Sequence, residues 1–109
     1  MKEPKVFILQ KQKRYDTSAV KCYSKHPIYI IDQEYINPFD TTGFMELVRH
    51  RLIMETFDPN IDFICLTGSS ILLSLFLAAV VKEYTYSNIK LLIFDARHNK
   101  YRLRILGGL

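Results

Sequence analysis

Short apolar runs alternate with longer amphipathic stretches along this chain. Three runs, at residues 28–31, 63–66 and 89–94, are apolar or nearly so. Runs of this length are typical of strands that are buried on both faces of a sheet. A similar run at 6–9 and a weaker one at 20–23 predict two more strands, which we expect to pair as a hairpin.

Two longer stretches have the apolar spacing of helices. Large apolar residues recur at near-helical spacing between residues 42 and 57, and Asp40, Thr41 and Thr42 supply N-cap chemistry in front of them. A second helix is predicted from residue 69 to about residue 84.

The last predicted strand, at 100–106, alternates with period two. Tyr101, Leu103 and Ile105 fall on one face, and a row of cations falls on the other. This pattern predicts a half-buried strand. It follows the strand at 89–94 through an expected hairpin turn at residues 96–99.

Residues 63–81 contain no charge, and nineteen such residues are enough to cross a bilayer. The same stretch also fits a strand that turns at Thr67, Gly68, Ser69 and Ser70 into a helix. We favour the second interpretation, because the apolar strands at 28–31 and 89–94 need a sheet partner and helical cover. It predicts a chain without a membrane span.

The order of elements places the chain in the α/β class. Strands that alternate with helices favour parallel pairing through right-handed crossovers. We therefore expect residues 1–109 to form one α/β domain. Its architecture would be a small Rossmann-like three-layer domain, with a mostly parallel central sheet and an antiparallel C-terminal hairpin strand.

The composition shows an uneven distribution of charge along the chain and indicates a cellular compartment. Residues 1–25 carry seven basic residues against two acidic ones, residues 26–87 three against eight, and residues 88–109 five against one. Basic ends of this kind attract polyanions. The cysteines, Cys22 and Cys65, form no CxxC or Cys/His pattern, so no zinc site is predicted. No resident cofactor is predicted either. A reducing cytoplasm is the expected compartment.

The carboxyl ends of parallel strands meet at one edge of a sheet, where ligands bind. This edge would bring together Thr67, Gly68, Ser69 and Ser70 with Arg97 and His98. A helix start offers unpaired backbone N–H groups to a phosphate. The alternative is that the four small residues only cap the helix. The turn lacks the lysine of a P-loop and the three glycines of a dinucleotide fingerprint.

Two other chemistries remain open at the same edge. Asp32, Glu34 and Asp95 end neighbouring strands and would suit Mg²⁺, although acids at such places are commonly just solvated. His98 near Ser69 would suit acid–base chemistry, although a histidine at a hairpin tip is usually just exposed. Neither metal nor catalytic residues are therefore assigned.

A basic surface is the second candidate site. If the first and last strands lie near one another, this surface combines the cations of both: Lys11, Lys13, Arg14, Lys100, Arg102 and Arg104. Such a surface binds nucleic acid, or it protects a sheet edge against aggregation.

Three functions follow from these patterns. The leading hypothesis is a non-enzymatic or weakly enzymatic binding module for a nucleotide or another phosphorylated ligand. The alternatives are a nucleic-acid-binding accessory protein and a structural or assembly protein that acts as a homodimer. A homodimer is the expected oligomeric state in any case.

Overall fold

The computed structural model describes residues 3–10, 27–31, 39–66, 70–84 and 87–107. These residues form β1 (Val6–Gln10), β2 (Pro27–Ile31), α1 (Thr41–Met54), β3 (Phe63–Cys65), α2 (Ser70–Glu83), β4 (Ile89–Asp95) and β5 (Lys100–Leu106). The elements predicted at these places are confirmed. The weak strand predicted at 20–23 lies outside the described residues. The hairpin predicted between it and residues 6–9 is wrong, because β2 and β3 pair in parallel with the two edges of β1.

The five strands form one sheet in the order β2-β1-β3-β4-β5. β1 pairs in parallel with β2 on one side and with β3 on the other, and β3 pairs in parallel with β4. β5 runs antiparallel beside β4, with Asp95 opposite Lys100 across the turn. The α/β class, the mostly parallel sheet and the antiparallel C-terminal strand are therefore confirmed.

Both described helices pack on the same face of the sheet. The shared cluster contains Phe7, Leu9 and Ile64 from the sheet, and each helix adds an apolar stripe. The stripes are Phe44, Val48 and Leu52 on α1, and Leu72, Phe76, Ala79 and Val80 on α2. Each such large side chain stabilises the fold by about 1.5–3 kcal/mol when it is fully buried.

The opposite face of the sheet also has a buried centre. Val6, Ile8, Cys65 and Leu92 are fully buried there, and Tyr101 adjoins them. Both faces of β1 are thus covered, as expected for a central strand of a parallel sheet. The described helices account for one layer beside the sheet, so the three-layer architecture stays a prediction.

The uncharged stretch at 63–81 is divided between two elements. β3 ends at Cys65, and α2 begins at Ser70 and continues for 14 residues. Within the described ranges, no helix combines the length and the apolarity that crossing a bilayer would require. The interpretation as a strand followed by a helix is therefore confirmed.

α1 ends at Met54, three residues before the predicted end at residue 57. The N–H of Phe57 donates to the carbonyl of Leu52, and the N–H of Thr56 donates to the carbonyl of Ile53. With Thr56 at φ 51°, this is the Schellman pattern that satisfies the last carbonyls of a helix. The chain reverses so that Phe57 packs edge-on against Phe7, with ring centroids 5.2 Å apart.

β5 is less buried than its alternation predicts. Tyr101 is buried and its ring centroid lies 5.2 Å from that of Phe94. Leu103 and Ile105, on the same face, are 43% and 60% exposed. The prediction of a half-buried strand is therefore wrong beyond Tyr101, because β5 is the last strand of the sheet and its outer residues have little cover.

A buried carboxylate connects the starts of β1 and β3. Asp62 is fully buried, and its two oxygens accept from the backbone N–H groups of Lys5, at 2.9 Å, and Asp58, at 2.8 Å. The ammonium of Lys5 lies 3.7 Å from the same carboxylate. The next residue, Phe63, donates its N–H to the carbonyl of Lys5 at 2.8 Å, which starts the pairing of the two strands.

We expect Asp62→Asn to lower the free energy of unfolding by about 1–3 kcal/mol, the usual result of leaving a buried donor unsatisfied. Each carboxylate oxygen accepts from a different backbone N–H, so either orientation of the amide turns its NH₂ group toward a donor. Urea denaturation measures the change. Glu46→Gln, on the exposed side of α1, is the matched control and should change stability little. Equal stability of the two variants would contradict the role given to Asp62.

Candidate functional site

Two segments follow the carboxyl ends of β3 and β4. The predicted turn residues Thr67, Gly68 and Ser69 lie outside the described residues. Ser70, the fourth, is exposed at the first position of α2, and its carbonyl accepts from the Ser74 hydroxyl at 2.8 Å. Their binding of a phosphate therefore stays a prediction.

The second segment is the turn between β4 and β5, which forms at residues 96–99 as predicted. The Asp95 carboxylate accepts from the backbone N–H of Arg97 at 3.1 Å, which fixes the first bend. Asn99 has φ 49°, a left-handed conformation that asparagine tolerates better than most residues. The turn thus brings residues 95–98 back toward β5.

Asp95 also holds the side chains of His98 and Arg102 beside this turn. One of its oxygens, Oδ2, accepts from Arg102 Nε and lies 2.8 Å from His98 Nδ1. Arg102 Nη2 is 3.2 Å from the same His98 nitrogen. Because the carboxylate only accepts and the guanidinium only donates, these contacts require opposite tautomers. We assign the proton to Nδ1, since that bond is the shorter one and is assisted by the carboxylate charge.

These contacts stabilise the ionised form of Asp95. The hydrogen bond with His98 has the largest effect and that with Arg102 the second largest, and together they lower the pKa of Asp95 to about 2. The predicted ligand residue His98 is therefore a partner of Asp95 in this structure. A ligand that used the imidazole Nδ1 would compete with this carboxylate.

Three arginines surround one cavity beside this cluster. The cavity has a volume of about 350 Å³ and is lined by Ile93, Phe94, Asp95, Ala96, Arg97, Arg102 and Arg104. In the register of the hairpin, Arg102 lies opposite Ile93 and Arg104 lies opposite Leu91. Leu91 belongs to the cluster under the helices, so both arginines lie on the helix side of the sheet.

The positive charge of this cavity exceeds its negative charge. Arg102 is paired with Asp95, whereas the guanidinium groups of Arg97 and Arg104 have no hydrogen bond or ion pair within the part of the chain that the structure describes. A guanidinium presents several N–H donors in a planar fork that matches phosphate and carboxylate oxygens. This arrangement suits an anion with several oxygens.

A second cavity of similar volume lies between α1 and α2. It is lined by Thr41, Thr42, Met45, Glu46, Arg49, Ala79, Lys82 and Glu83. Arg49 Nε and Glu83 Oε1 are 3.1 Å apart, so two of its charges neutralise each other. With two acids and two bases in the lining, this cavity has no charge preference comparable to that of the arginine cavity.

The structure thus combines two predictions that the sequence kept apart. Arg97 was predicted for a phosphate site and Arg102 and Arg104 for a polyanion surface, yet all three line one cavity. Lys100 is exposed on the same row of β5, whereas Lys11, Lys13 and Arg14 lie outside the described residues.

The metal alternative receives no support from the described side chains. Among the described residues, no group of three or more His, Cys, Asp or Glu side chains is placed to hold an ion. Asp32 and Glu34 lie outside these ranges. Asp95, the remaining acid of that alternative, is engaged by His98 and Arg102.

The organising role of Asp95 was missed at the level of sequence, although a signal for it existed. A four-residue turn at 96–99 places Asp95 opposite Lys100 and Ile93 opposite Arg102. Asp95 and Arg102 are then diagonal neighbours on one face, within reach of long side chains.

We expect the carboxyl group of Asp95 to titrate with a pKa of about 2 in the folded protein, below its ordinary value of 3.8. A lowered pKa means that the ionised cluster stabilises the fold above pH 3.8 and that this contribution is lost as the pH falls through about 2. Carbon-detected NMR of the carboxyl group measures it. His98→Ala and Arg102→Gln should each raise the pKa, whereas the control Arg104→Gln should change it little. An ordinary pKa in the unchanged protein would contradict the cluster.

Comparison with known proteins assigns no function to this geometry. No protein-family model matches the chain, and no curated protein or solved structure matches it either. The function therefore has to be argued from the residues themselves.

Proposed function

We propose that this protein is a binding module for a nucleotide or another phosphorylated ligand. The observation that carries the proposal is the cavity at the end of β4, which is lined by Arg97, Arg102 and Arg104. Two of these guanidinium groups make no other polar contact in the described chain, so they are available to phosphate oxygens.

The position of α2 supports the same ligand class. α2 begins directly after β3, at the carboxyl end of the parallel strands, and it lies on the face that carries Arg102 and Arg104. The first N–H groups of a helix favour an anion. In the proposed site, Thr67, Gly68, Ser69 and Ser70 bind one part of the ligand and the arginines bind another.

We further propose the Rossmann-like three-layer architecture for the whole domain. The strand order β2-β1-β3-β4 supports it, because β1 is followed by its neighbour toward one edge of the sheet, β2, and β3 by its neighbour toward the other edge, β4. Ligands of such sheets bind outside the carboxyl ends of the strands at this switch point. The turn at 67–70 follows one of the two strands concerned.

A binding role fits the chemistry of Asp95 better than a catalytic one. Asp95 is the carboxylate that lines the cavity, and its pKa of about 2 makes it a weak base near neutral pH. Its contacts with His98 and Arg102 would hold these two side chains in place around a ligand.

We expect calorimetric titration with nucleoside triphosphates and pyrophosphate to detect binding, and Arg97→Gln to weaken it by about tenfold or more, the usual effect of losing a hydrogen bond to a charged group. Arg49→Gln is the matched control. It removes the same charge from an exposed arginine between α1 and α2 and should leave the affinity unchanged. Gly68→Asp adds a negative charge to the turn and should also weaken binding. If neither Arg97→Gln nor Gly68→Asp changed the affinity for any phosphorylated ligand, the proposal would fail.

Nucleic-acid binding is the alternative, and the exposed row Lys100, Arg102 and Arg104 favours it. With Lys11, Lys13 and Arg14, this row would follow the phosphates of a single strand. The affinity for oligonucleotides should then rise with their length. Each of Lys100→Gln and Arg104→Gln should reduce the slope of log K against log salt by roughly 0.7. Anisotropy titrations with labelled oligonucleotides measure both, and a length-independent affinity would favour the single phosphorylated ligand.

A further inference from the structure

The outer edge of β5 is the feature that the proposed ligand site leaves unexplained. β5 is the last strand of the described sheet and pairs with β4 alone. A strand in this position directs backbone N–H and C=O groups away from the sheet, where another extended chain can pair with them.

The side chains of β5 form two rows of different chemistry. The helix-side row consists of Lys100, Arg102 and Arg104, all exposed. The opposite row begins with buried Tyr101 and continues with Leu103 and Ile105, which are 43% and 60% exposed. Apolar residues with period two on one face are the pattern of a strand that is covered on that face. Within the described part of the chain, Tyr101 is the residue of this row that is buried.

We propose that the outer edge of β5 binds an extended segment of a partner protein in which acidic residues alternate with apolar ones. Such a segment adds a sixth strand to the sheet. Its acidic side chains then lie beside Lys100, Arg102 and Arg104, and its apolar side chains cover Leu103 and Ile105. Opposite charges and apolar pairs on neighbouring strands are both stabilising.

The positive charge of the cation row favours a partner of different sequence and disfavours a second copy of this chain at the β5 edge. When two copies join antiparallel about a two-fold axis through their β5 edges, the helix sides of both sheets coincide. Each cation row then lies opposite the cation row of the other copy, and Asp95, the acid beside Lys100, belongs to β4 on the inner side of each row. Like charges directly opposite each other destabilise a sheet, whereas an acidic segment meets this row with complementary charge.

The test uses a labelled seven-residue peptide of alternating glutamate and valine, which matches the length of β5. Fluorescence anisotropy measures its affinity for the whole chain, and hydrogen exchange measures the protection of β5 amides. We expect binding with protection along β5. The same peptide N-methylated at alternate residues keeps its side chains but loses the donors for strand pairing, so it should bind at least about tenfold more weakly.

Variants separate this edge from the ligand cavity. The double variant Leu103→Gln/Ile105→Gln makes the exposed apolar row polar and should lower the affinity for the peptide. It should leave the affinity for nucleotides unchanged, because that row lies on the face opposite the arginine cavity. Arg97→Gln should do the reverse. The two proposals can therefore fail independently, since one is tested by the affinity for the peptide and the other by the affinity for nucleotides.

Three results would overturn the inference. One is equal binding of the N-methylated peptide, and another is equal binding of a peptide of the same composition with its glutamates clustered at one end. Either would indicate attraction by charge alone. The third is protection of β5 amides that grows with protein concentration without peptide, since it would identify a second copy of this chain as the occupant.

Discussion

The buried carboxylate of Asp62 is the constraint on which the sheet depends. A fully buried acid is costly unless its oxygens are satisfied, and here backbone N–H groups of Lys5 and Asp58 satisfy them. These bonds fix the start of β1 against the start of β3, two segments more than fifty residues apart in the chain. Because a shift of one residue would turn every side chain to the other face, this anchor also preserves the two-sided burial of β1.

From that anchor, the positions of the two candidate segments follow. β1, β3 and β4 are parallel and in register, so the chain leaves β3 and β4 at the same end of the sheet. The bonds of Asp62 close the other end. The structure thus has a buried, hydrogen-bonded carboxylate at the amino ends of β1 and β3 and exposed cations at the carboxyl end of β4. Ligands of open α/β sheets bind outside the carboxyl ends of the strands.

Sequence periodicity predicted the element types and the class of the fold, because each strand and helix has the apolar spacing of the face that it buries. It failed where backbone geometry or neighbours decide. The end of α1 depends on a Schellman turn at Thr56, a residue that does not signal a left-handed conformation. The exposure of Leu103 and Ile105 depends on what lies beside β5 and not on β5 itself. The arginine cavity depends on the register of the hairpin. The four-residue turn indicates this register and therefore the position of Arg102 beside Asp95, but periodicity alone does not.

Asp95 has opposing effects on an anion in the cavity, and their balance limits what the cavity can bind. Its hydrogen bonds hold Arg102 and His98 in place, which reduces the ordering that a ligand must impose. Its own negative charge, however, lies in the lining and repels the ligand that the arginines attract. Because Arg102 is already paired with Asp95, it attracts a ligand with one negative charge less strongly than a free arginine would. In the proposed site, a ligand with several charged oxygens would also engage Arg97 and Arg104, whose guanidinium groups have no carboxylate partner among the described residues. For the ligand class that we propose, this charge balance favours di- and triphosphates over a monoanion.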